Sequence, residues 1–423
     1  MSLFDDFTKV EKREEIIPEK SDLDKILNLE TEIITQYKND SQFGKNSQDH
    51  EEAYTTLYAN VQEKTKDIPL NSELLESYIS TRDNLEKNTE AIIRGMYSAA
   101  LLEATCVVQP NTAIFIDGEG KTFNYLFYHV KNARNVTIQN FKGDNILAKA
   151  GWQGEVAHIT LNNIEGDELL SSAGLNGSCE HIILTDITGN HTLSQAGSEK
   201  GSIKYLRLTN INGDSTLWKM GSFNGTAQHI TLDNIKGDDT LASAGFEGNV
   251  EYLSINNLTG NKTLAYAGKN SGSINQLTLH RIKGDYTLQD ISTCGNATHI
   301  TLTKIEGNQT LEGAGSDNGN IHHLTLSKIT GDLTLSDLEG DCVNIKNLTL
   351  SEINGNDTFK NANRYGGKIN PILREEDFNE HQKSILSQIE TIISTIHTLS
   401  FEEQKNAHDE IARLQIEIFA GET

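Results

Sequence analysis

A glycine followed by Asp or Asn recurs every 23 or 24 residues over more than half of the chain, and this spacing constrains the fold more than any other feature. A fixed period of this length indicates a solenoid, in which each repeat buries its apolar face only by stacking on its neighbours. The pair itself predicts a tight turn, where positive φ or close backbone packing favours glycine. The glycines are Gly143, Gly166, Gly189, Gly213, Gly237, Gly260, Gly284, Gly307, Gly331 and Gly355.

Two apolar columns precede this glycine, two positions apart in every copy. In the copy AQHITLDNIKGDDTLASAGFEGN, residues 227–249, they hold Ile230 and Leu232. Side chains two residues apart share one face of a β-strand, so the columns predict a strand whose apolar members are buried. The first column holds Val136, Ile159, Ile182, Leu206, Ile230, Leu253, Leu277, Ile300, Leu324 and Leu348. The second holds Ile138, Leu161, Leu184, Leu208, Leu232, Ile255, Leu279, Leu302, Leu326 and Leu350.

The repeats predict a mainly β fold, a right-handed parallel β-helix of about ten 23–24-residue coils over residues 133–368. Each coil is expected to contribute several short strands to stacked parallel sheets. A leucine-rich horseshoe is the alternative for a repeat of this length. It fits less well, because the L-x-x-L-x-L-x-x-N framework and a helical half-repeat are missing.

Helical segments are expected to cover the unpaired strands at both ends of the stack. Residues 1–106 form the predicted helical N-terminal region and cap, residues 107–370 the β-helix, and residues 371–423 a C-terminal helical hairpin. Isoleucines at three- and four-residue spacing give the first hairpin helix its apolar stripe. Ser400 with Glu403 predicts a capping box that opens the second helix.

The segments ARNVTIQNFKG and HITLNNIEG resemble the second strand and turn of the pectin-lyase-like superfamily of right-handed parallel β-helices. The resemblance covers the repeat region only, and it implies an inward asparagine ladder after that strand. It implies no single activity, since the superfamily includes lyases, hydrolases, adhesins and inert scaffolds. The matching positions are Asn140, Asn163, Asp186, Asn210, Asn234 and Asn257, and the column continues with Arg281, Lys304, Lys328 and Glu352, where an outward side chain is expected.

The net charge of the chain, its hydropathy and the spacing of its cysteines limit which partners, compartments and ligands we expect. The net charge of −24, from 60 acidic and 36 basic residues, would repel a nucleic-acid backbone. No apolar run is long enough for a membrane span, and the N-terminus is charged where a signal peptide is apolar, so we expect a cytoplasmic protein or one exported without a cleaved signal. The cysteines lie far apart and predict free thiols, with no metal site and no cofactor: Cys106, Cys179, Cys294 and Cys342.

Planar side chains recur in the outward column just before the first apolar column, with an outward threonine two places on in most coils. Stacked at coil spacing, they predict a flat binding stripe for an extended protein or glycan partner. The alternative is that like side chains stack because stacking itself stabilises a solenoid. The candidate binding residues are His158, His181, Tyr205, His229, Tyr252, His299 and His323, and Gln276 and Asn347 complete the column.

A candidate catalytic set lies where the repeat breaks, at Asp290, Glu312 and Asp337. The resemblance implies acidic catalytic residues on successive coils, and two coils would separate Asp290 from Asp337 by about 9.5 Å.

The column of glycines followed by Asp or Asn is similar to calcium-binding repeats but has a different spacing. Asn replaces Asp in four coils, so a turn role is favoured over a calcium site.

The leading hypothesis is a non-enzymatic interaction or scaffold protein that displays its β-helix surface, with terminal helices available for partner binding or self-association. The alternative is a carbohydrate-active lyase or glycoside hydrolase that uses the three carboxylates. The Ile-, Asn- and Lys-rich composition and the repeats also resemble bacterial effectors exported without a cleaved signal.

Overall fold

The computed structural model describes residues 20–44, 49–82, 88–337, 344–361, 368–369 and 372–420. Within these residues the chain forms one parallel sheet that coils into a β-solenoid, with helices at both ends. The predicted solenoid with helical ends is therefore confirmed. Cys342 lies outside the described residues.

Eleven strands follow one another through the sheet in chain order, each hydrogen-bonded in parallel to the next. Their register places like positions of successive copies side by side, as in the pairs Leu206 with Ile230 and Leu208 with Leu232. The strands are β1 Ala113–Asp117, β2 Ala133–Lys142, β3 Glu155–Glu165, β4 Ser178–Thr188, β5 Ser202–Asn212, β6 Thr226–Lys236, β7 Asn249–Thr259, β8 Ser273–Lys283, β9 Asn296–Glu306, β10 Asn320–Thr330 and β11 Asn344–Asn354. The short β12 Lys368–Ile369 and β13 Ile372–Arg374 both pair with β11.

The remainder of each coil is a run of overlapping turns, and the expectation of several strands in every coil is wrong. In the coil after β6, alternate residues have left-handed backbone, including Leu241 at φ 58° and Ser243 at φ 60°. Successive turns close through Ala242 N to Asp239 O and Ala244 N to Leu241 O, at 3.1 and 3.0 Å. The amides of Leu241 and Ser243 bond to the preceding and the following coil, so both neighbours hold the unusual backbone in place.

The asparagine column near the end of each strand points outward, contrary to the expected inward ladder. Its members have positive φ, as at Asn234 with φ 56°, and most of them are exposed. The side chains still bond along the stack, since Asn234 Nδ2 donates to Asn210 Oδ1 at 2.6 Å and Asn163 Nδ2 to Asn140 Oδ1 at 2.7 Å. The column favours asparagine because it tolerates left-handed backbone and bonds to a copy of itself. The outward orientation expected from Arg281 onward therefore applies to the whole column.

Four helices cover the N-terminal end of the stack, and their apolar side chains belong to the same buried cluster as the strand columns. Of the described helices, α4 alone is long and apolar enough to cross a membrane, but 78% of its most apolar window is buried inside the protein, as in a core helix. The helices are α1 Lys20–Tyr37, α2 His50–Thr65, α3 Ser72–Ser80 and α4 Thr89–Val108.

Two further helices, α5 Glu380–Thr395 and α6 Phe401–Ala420, form the terminal hairpin. Its apolar residues build a second cluster, separate from the solenoid core. The expected capping box opens α6, since Ser400 N donates to Glu403 Oε2 at 2.9 Å and Glu403 N donates to Ser400 Oγ at 3.4 Å. The hairpin lies across the outward face of the sheet, which places it beside the stripe that the sequence singled out.

Candidate functional site

The rings of the stripe stack along the outward face of the sheet. Ring centroids are 4.6 Å apart for His181 and Tyr205, 5.1 Å for Tyr205 and His229, and 4.8 Å for His229 and Tyr252. The rings of the last pair are nearly parallel, with an angle of 4° between their planes. Parallel pairing of identical positions produces this spacing, because neighbouring strands hold equivalent side chains about one strand width apart.

The terminal hairpin covers one side of this stripe. The Phe401 ring at the start of α6 lies 4.9 Å from the Tyr205 ring, and Gln276 Nε2 donates to Asp409 Oδ1 at 3.1 Å. We call the outward residues of β6 to β11 the covered face, because its central column is buried beneath the hairpin. That column holds Thr231, Ser254, Thr278, Thr301, Thr325 and Thr349.

Gln415 of α6 is the best-connected residue of this interface. Its Nε2 lies 3.0 Å from the carbonyl of Ile300 and from the hydroxyls of Thr301 and Thr325, and its Oε1 accepts from His299 Nδ1 at 2.8 Å. One buried amide therefore joins α6 to two neighbouring strands. Hydrogen bonds of this kind fix the position of α6 along the sheet, which apolar contacts alone would leave free to slide.

Charged and polar groups continue the interface along α5 and at the connection between α5 and α6. Ser327 Oγ donates to Glu390 Oε1 at 2.5 Å, and Lys328 Nζ donates to Glu390 Oε2 at 2.6 Å. Arg207 Nη2 donates to the Leu399 carbonyl at 2.5 Å. Polar contacts therefore attach the hairpin to the sheet from β5 to β10, together with the contact of the Phe401 ring with Tyr205.

The outward residues of β1 to β4, which we call the open face, continue the same columns past the hairpin, which reaches this face at the His181 ring. Thr137, Thr160 and Ile183 occupy the central column there and are half-buried, whereas the equivalent Thr231 is fully covered. Phe115 heads this column on β1 and is 38% exposed. The open face therefore has the same column of residues as the face that the hairpin contacts, with additional apolar side chains.

The candidate catalytic carboxylates lie on the turn side of the coils, away from the stripe. Asp290 and Asp337 share one column with Gly313 between them, and Glu312 stands in the adjacent column. Glu312 Oε2 accepts from two glutamine amides, and Asp337 Oδ1 accepts from an asparagine amide at 2.7 Å. Burial raises the pKa of Asp290; nearby Lys269 lowers it, while Glu312 raises it further.

Asp290→Asn is expected to leave the protein as stable as the wild type or to stabilise it by up to about 1 kcal/mol at pH 8, since the site is partly exposed. A carboxyl whose folded pKa is raised costs stability when ionised, so the advantage of the variant should shrink as pH falls towards the ordinary value of 3.8. Urea unfolding of both proteins at pH 8 and pH 5 measures this. A variant clearly less stable than the wild type at pH 8 would contradict it.

The Gly-Asp column forms a hydrogen-bonded ladder along a groove of about 1140 Å³. Asp238 N donates to Asp214 Oδ1 at 2.9 Å, and Asn261 N donates to Asp238 Oδ1 at 2.8 Å. Aspartate and asparagine share the acceptor oxygen that this contact needs, which explains why they exchange. Buried threonines complete the turn, as Thr240 Oγ1 donates to Gly237 O at 3.1 Å. Among the described residues, no group of three or more His, Cys, Asp or Glu side chains is arranged to hold a metal ion.

A buried aromatic cluster at the junction of α2 and the first coils was missed by the sequence reasoning. The His129 ring is fully buried and stacks 5.2 Å from Trp152, and Lys149 Nζ lies 4.3 Å from the Trp152 ring. Burial lowers the pKa of Lys149 to about 8. The only sequence signal is a concentration of rings in NYLFYHV.

No protein-family model, no curated protein and no solved structure matches the chain. The fold itself defines the class: the chain is a parallel β-solenoid repeat protein with helices at both ends.

Proposed function

We propose that this solenoid is a non-enzymatic interaction protein that binds a helical segment of a protein partner on its open face. The observation that carries the proposal is the terminal hairpin, which already shows how the outward face binds an α-helix. The stripe supplies rings to the start of α6, and the central column supplies hydroxyls to Gln404 and Gln415. A rigid repeat surface of this kind suits an extended partner.

The geometry of the open face supports a partner that continues the line of α6. The hairpin ends against His181 and Tyr205, where Phe401 contacts both rings. Beyond that point the stripe continues with His158, whose ring centroid lies 4.5 Å from that of His181. A helix docked there would contact both the ring column and the Thr137 to Ile183 column.

Apolar side chains beside the open face supply the anchors that helix recognition requires. Phe115 is exposed at its edge, and Val107 and Val108 at the end of α4 are 67% and 60% exposed. The net charge of −24 favours partners with basic flanks, because opposite charge accelerates encounter. These features together favour an amphipathic helix with basic residues around its apolar side.

A photo-reactive amino acid in place of Thr160 tests the proposal. We expect it to cross-link a protein partner through a helical segment that mass spectrometry can locate. Thr160→Arg should then weaken binding of that partner at least about tenfold, since a long charged side chain would separate the surfaces. Ser172→Arg, on the turn side of the same coil, is the matched control and should bind as the wild type does. Equal loss in both variants would refute the open face as the site.

A carbohydrate-active lyase or hydrolase is the second candidate function. Membership of the pectin-lyase-like superfamily stays a prediction from the sequence. The direction of the Asp290 pKa shift favours this candidate: burial and nearby Glu312 raise the pKa, and a general acid needs a carboxyl pKa above the ordinary value.

A further inference from the structure

The covered face consists mainly of polar residues, which water can solvate when the face is exposed. Its central column consists of threonine and serine, and the adjacent column on the same strands is also polar. A parallel sheet face that is permanently buried is usually rich in Val, Ile and Leu. The adjacent column holds Asp233, Asn256, His280, Thr303, Ser327 and Ser351. The sheet can therefore lose its cover without exposing an apolar surface.

The hairpin has a core of its own. Ile385, Ile389 and Ile393 of α5 pack against Ile411 and neighbouring residues of α6, in a cluster separate from the solenoid core. Departure of the hairpin from the sheet would leave the solenoid core intact, and the second cluster would lose only its contact with Leu373 of β13 and the residues next to it. The two bodies are thus joined by an interface whose hydrogen bonds water can replace.

Docking also leaves several buried polar atoms without a hydrogen-bond partner among the described residues. They include Ser254 Oγ, Gln276 Oε1, Thr349 Oγ1 and His397 Nδ1. A buried polar group without a partner opposes the docked state. These groups therefore reduce the stability of the docked state.

Histidines are concentrated at this interface. His408 of α6 is 3% exposed, with its ring centroid 5.7 Å from Tyr252 and its Nδ1 3.5 Å from Thr278 Oγ1. His280 on the sheet is also buried, with Nδ1 2.6 Å from Thr303 Oγ1. Burial is the main cause that lowers the pKa of His408 to about 3 and of His280 to about 4.

The charges around these histidines do not favour an added proton. Arg281 and Lys304 face His280 and further lower its pKa, as does His397, and another histidine, His229, faces His408. The carboxylates on the two sides are Asp233 near His397, Glu390 near His280, and Asp409 near His229 and Tyr252. The remaining facing cations are Arg207 near His397 and Lys405 near His229. Burial also lowers the pKa of His229 and of His397.

We propose that the terminal hairpin is a pH-released cover, which leaves the sheet in acidic surroundings and extends the open face across β6 to β11 for the same helical partner. The identity of the partner rests on the proposed function, whereas release of the hairpin is independent of it. The buried histidines supply the switch, and the polar covered face makes the exposed state soluble.

The direction of the pH effect follows from linkage. A histidine held neutral when docked regains an ordinary pKa near 6.5 when released, so the released form binds more protons. Docking is fully favoured above pH 6.5 and weakens as pH falls towards 4, by about tenfold per pH unit for each extra proton taken up on release. Burial raises the docked pKa of Glu390, but the hydrogen bonds from Lys328 and Ser327 outweigh it and lower the pKa, so Glu390 adds to the effect below pH 4.5.

Nitroxide labels on Asn406→Cys in α6 and Lys236→Cys on β6 test the proposal in the full chain, with the accessible native cysteines replaced by serine. Electron–electron distance measurements at pH 7.5 should give one short distance. A longer population should grow as pH falls from 6.5 to 4.5, while circular dichroism shows that the solenoid stays folded. His280→Gln with His408→Gln should shift this release to lower pH, and the exposed His191→Gln should not.

An unchanged distance down to pH 4.5, or an unchanged release midpoint in the double histidine variant, would overturn the proposal. If that double variant does not fold, Gln415→Ala serves instead: it should release the hairpin at a higher pH, while Gln388→Ala on the exposed side of α5 should not. An unchanged midpoint in Gln415→Ala would equally overturn the proposal. Partner binding at pH 7.5 is measured separately with Thr160→Arg, so a fixed hairpin and a failed open face are told apart.

Discussion

Gly260→Ala is expected to prevent the chain from folding, with a loss of more than about 4 kcal/mol in the free energy of unfolding. A Cβ at Gly260 would lie 1.9 Å from the carbonyl oxygen of Gly237 in the preceding coil. The obstacle is backbone, and equivalent contacts continue through the stack, so no side chain can rotate away to make room. Soluble yield and urea unfolding of the variant measure the effect.

Gly120→Ala is the matched control for this substitution. Nothing lies within 4 Å of a Cβ at Gly120, so only its positive φ of 82° opposes the change. The expected cost is about 1–2 kcal/mol. A Gly260→Ala protein as stable as Gly120→Ala would show that the coils are not stacked as closely as described.

Glu30→Gln is expected to destabilise the N-terminal cap by about 3–5 kcal/mol. The Glu30 carboxylate is 1% exposed and lies 2.8 Å from Arg82 Nε and 2.5 Å from Arg94 Nε. It joins α1 to α4 and to the residues after α3. The variant removes the only negative charge of this triad, so two largely buried guanidinium groups would lose the charge that offsets them.

Glu32→Gln provides the comparison on the same helix. Glu32 pairs with Lys64 at 2.7 Å, but its side chain is 63% exposed, so the loss should stay below about 1 kcal/mol. Thermal unfolding of both variants, with the solenoid monitored by far-ultraviolet circular dichroism, measures the difference. Similar melting temperatures would contradict the buried triad.

The repeat predicted the solenoid because parallel stacking makes each column of the sequence a column of the structure. Ile230 and Leu232 are buried as expected, and their register with Leu206 and Leu208 follows from the period alone. The prediction was wrong for the turns. Leu241 is an apolar residue that rarely has left-handed backbone, yet it does so here, where the amides of Leu241 and Ser243 bond to the preceding and the following coil.

The outward asparagine column shows a similar limit. The sequence indicates that Asn210 and Asn234 are equivalent, but equivalence does not say which side of the coil they occupy. Their positive φ reverses the alternation of the strand at that position and turns the side chains to solvent. A strict period-two pattern therefore assigns the face correctly only up to this residue.

The sequence placed the ring stripe on the outward face, but it did not reveal the hairpin that covers one side of it. Periodicity describes each element separately and carries no direct information on which surfaces meet. One signal was present: Gln404, His408 and Gln415 lie on the buried side of α6 with Ile411, at helical spacing. Polar residues on the buried side of an amphipathic helix indicate a polar docking surface rather than a core.

The most direct test compares two variants in one binding measurement with the partner identified by cross-linking. Thr160→Arg changes the open face, and Asp290→Asn with Asp337→Asn removes the candidate catalytic carboxylates. We predict that the carboxylate variant binds the partner with wild-type affinity and that Thr160→Arg loses at least about tenfold. Wild-type affinity in Thr160→Arg, with turnover of a polysaccharide that disappears in the carboxylate variant, would contradict the account and favour the enzyme.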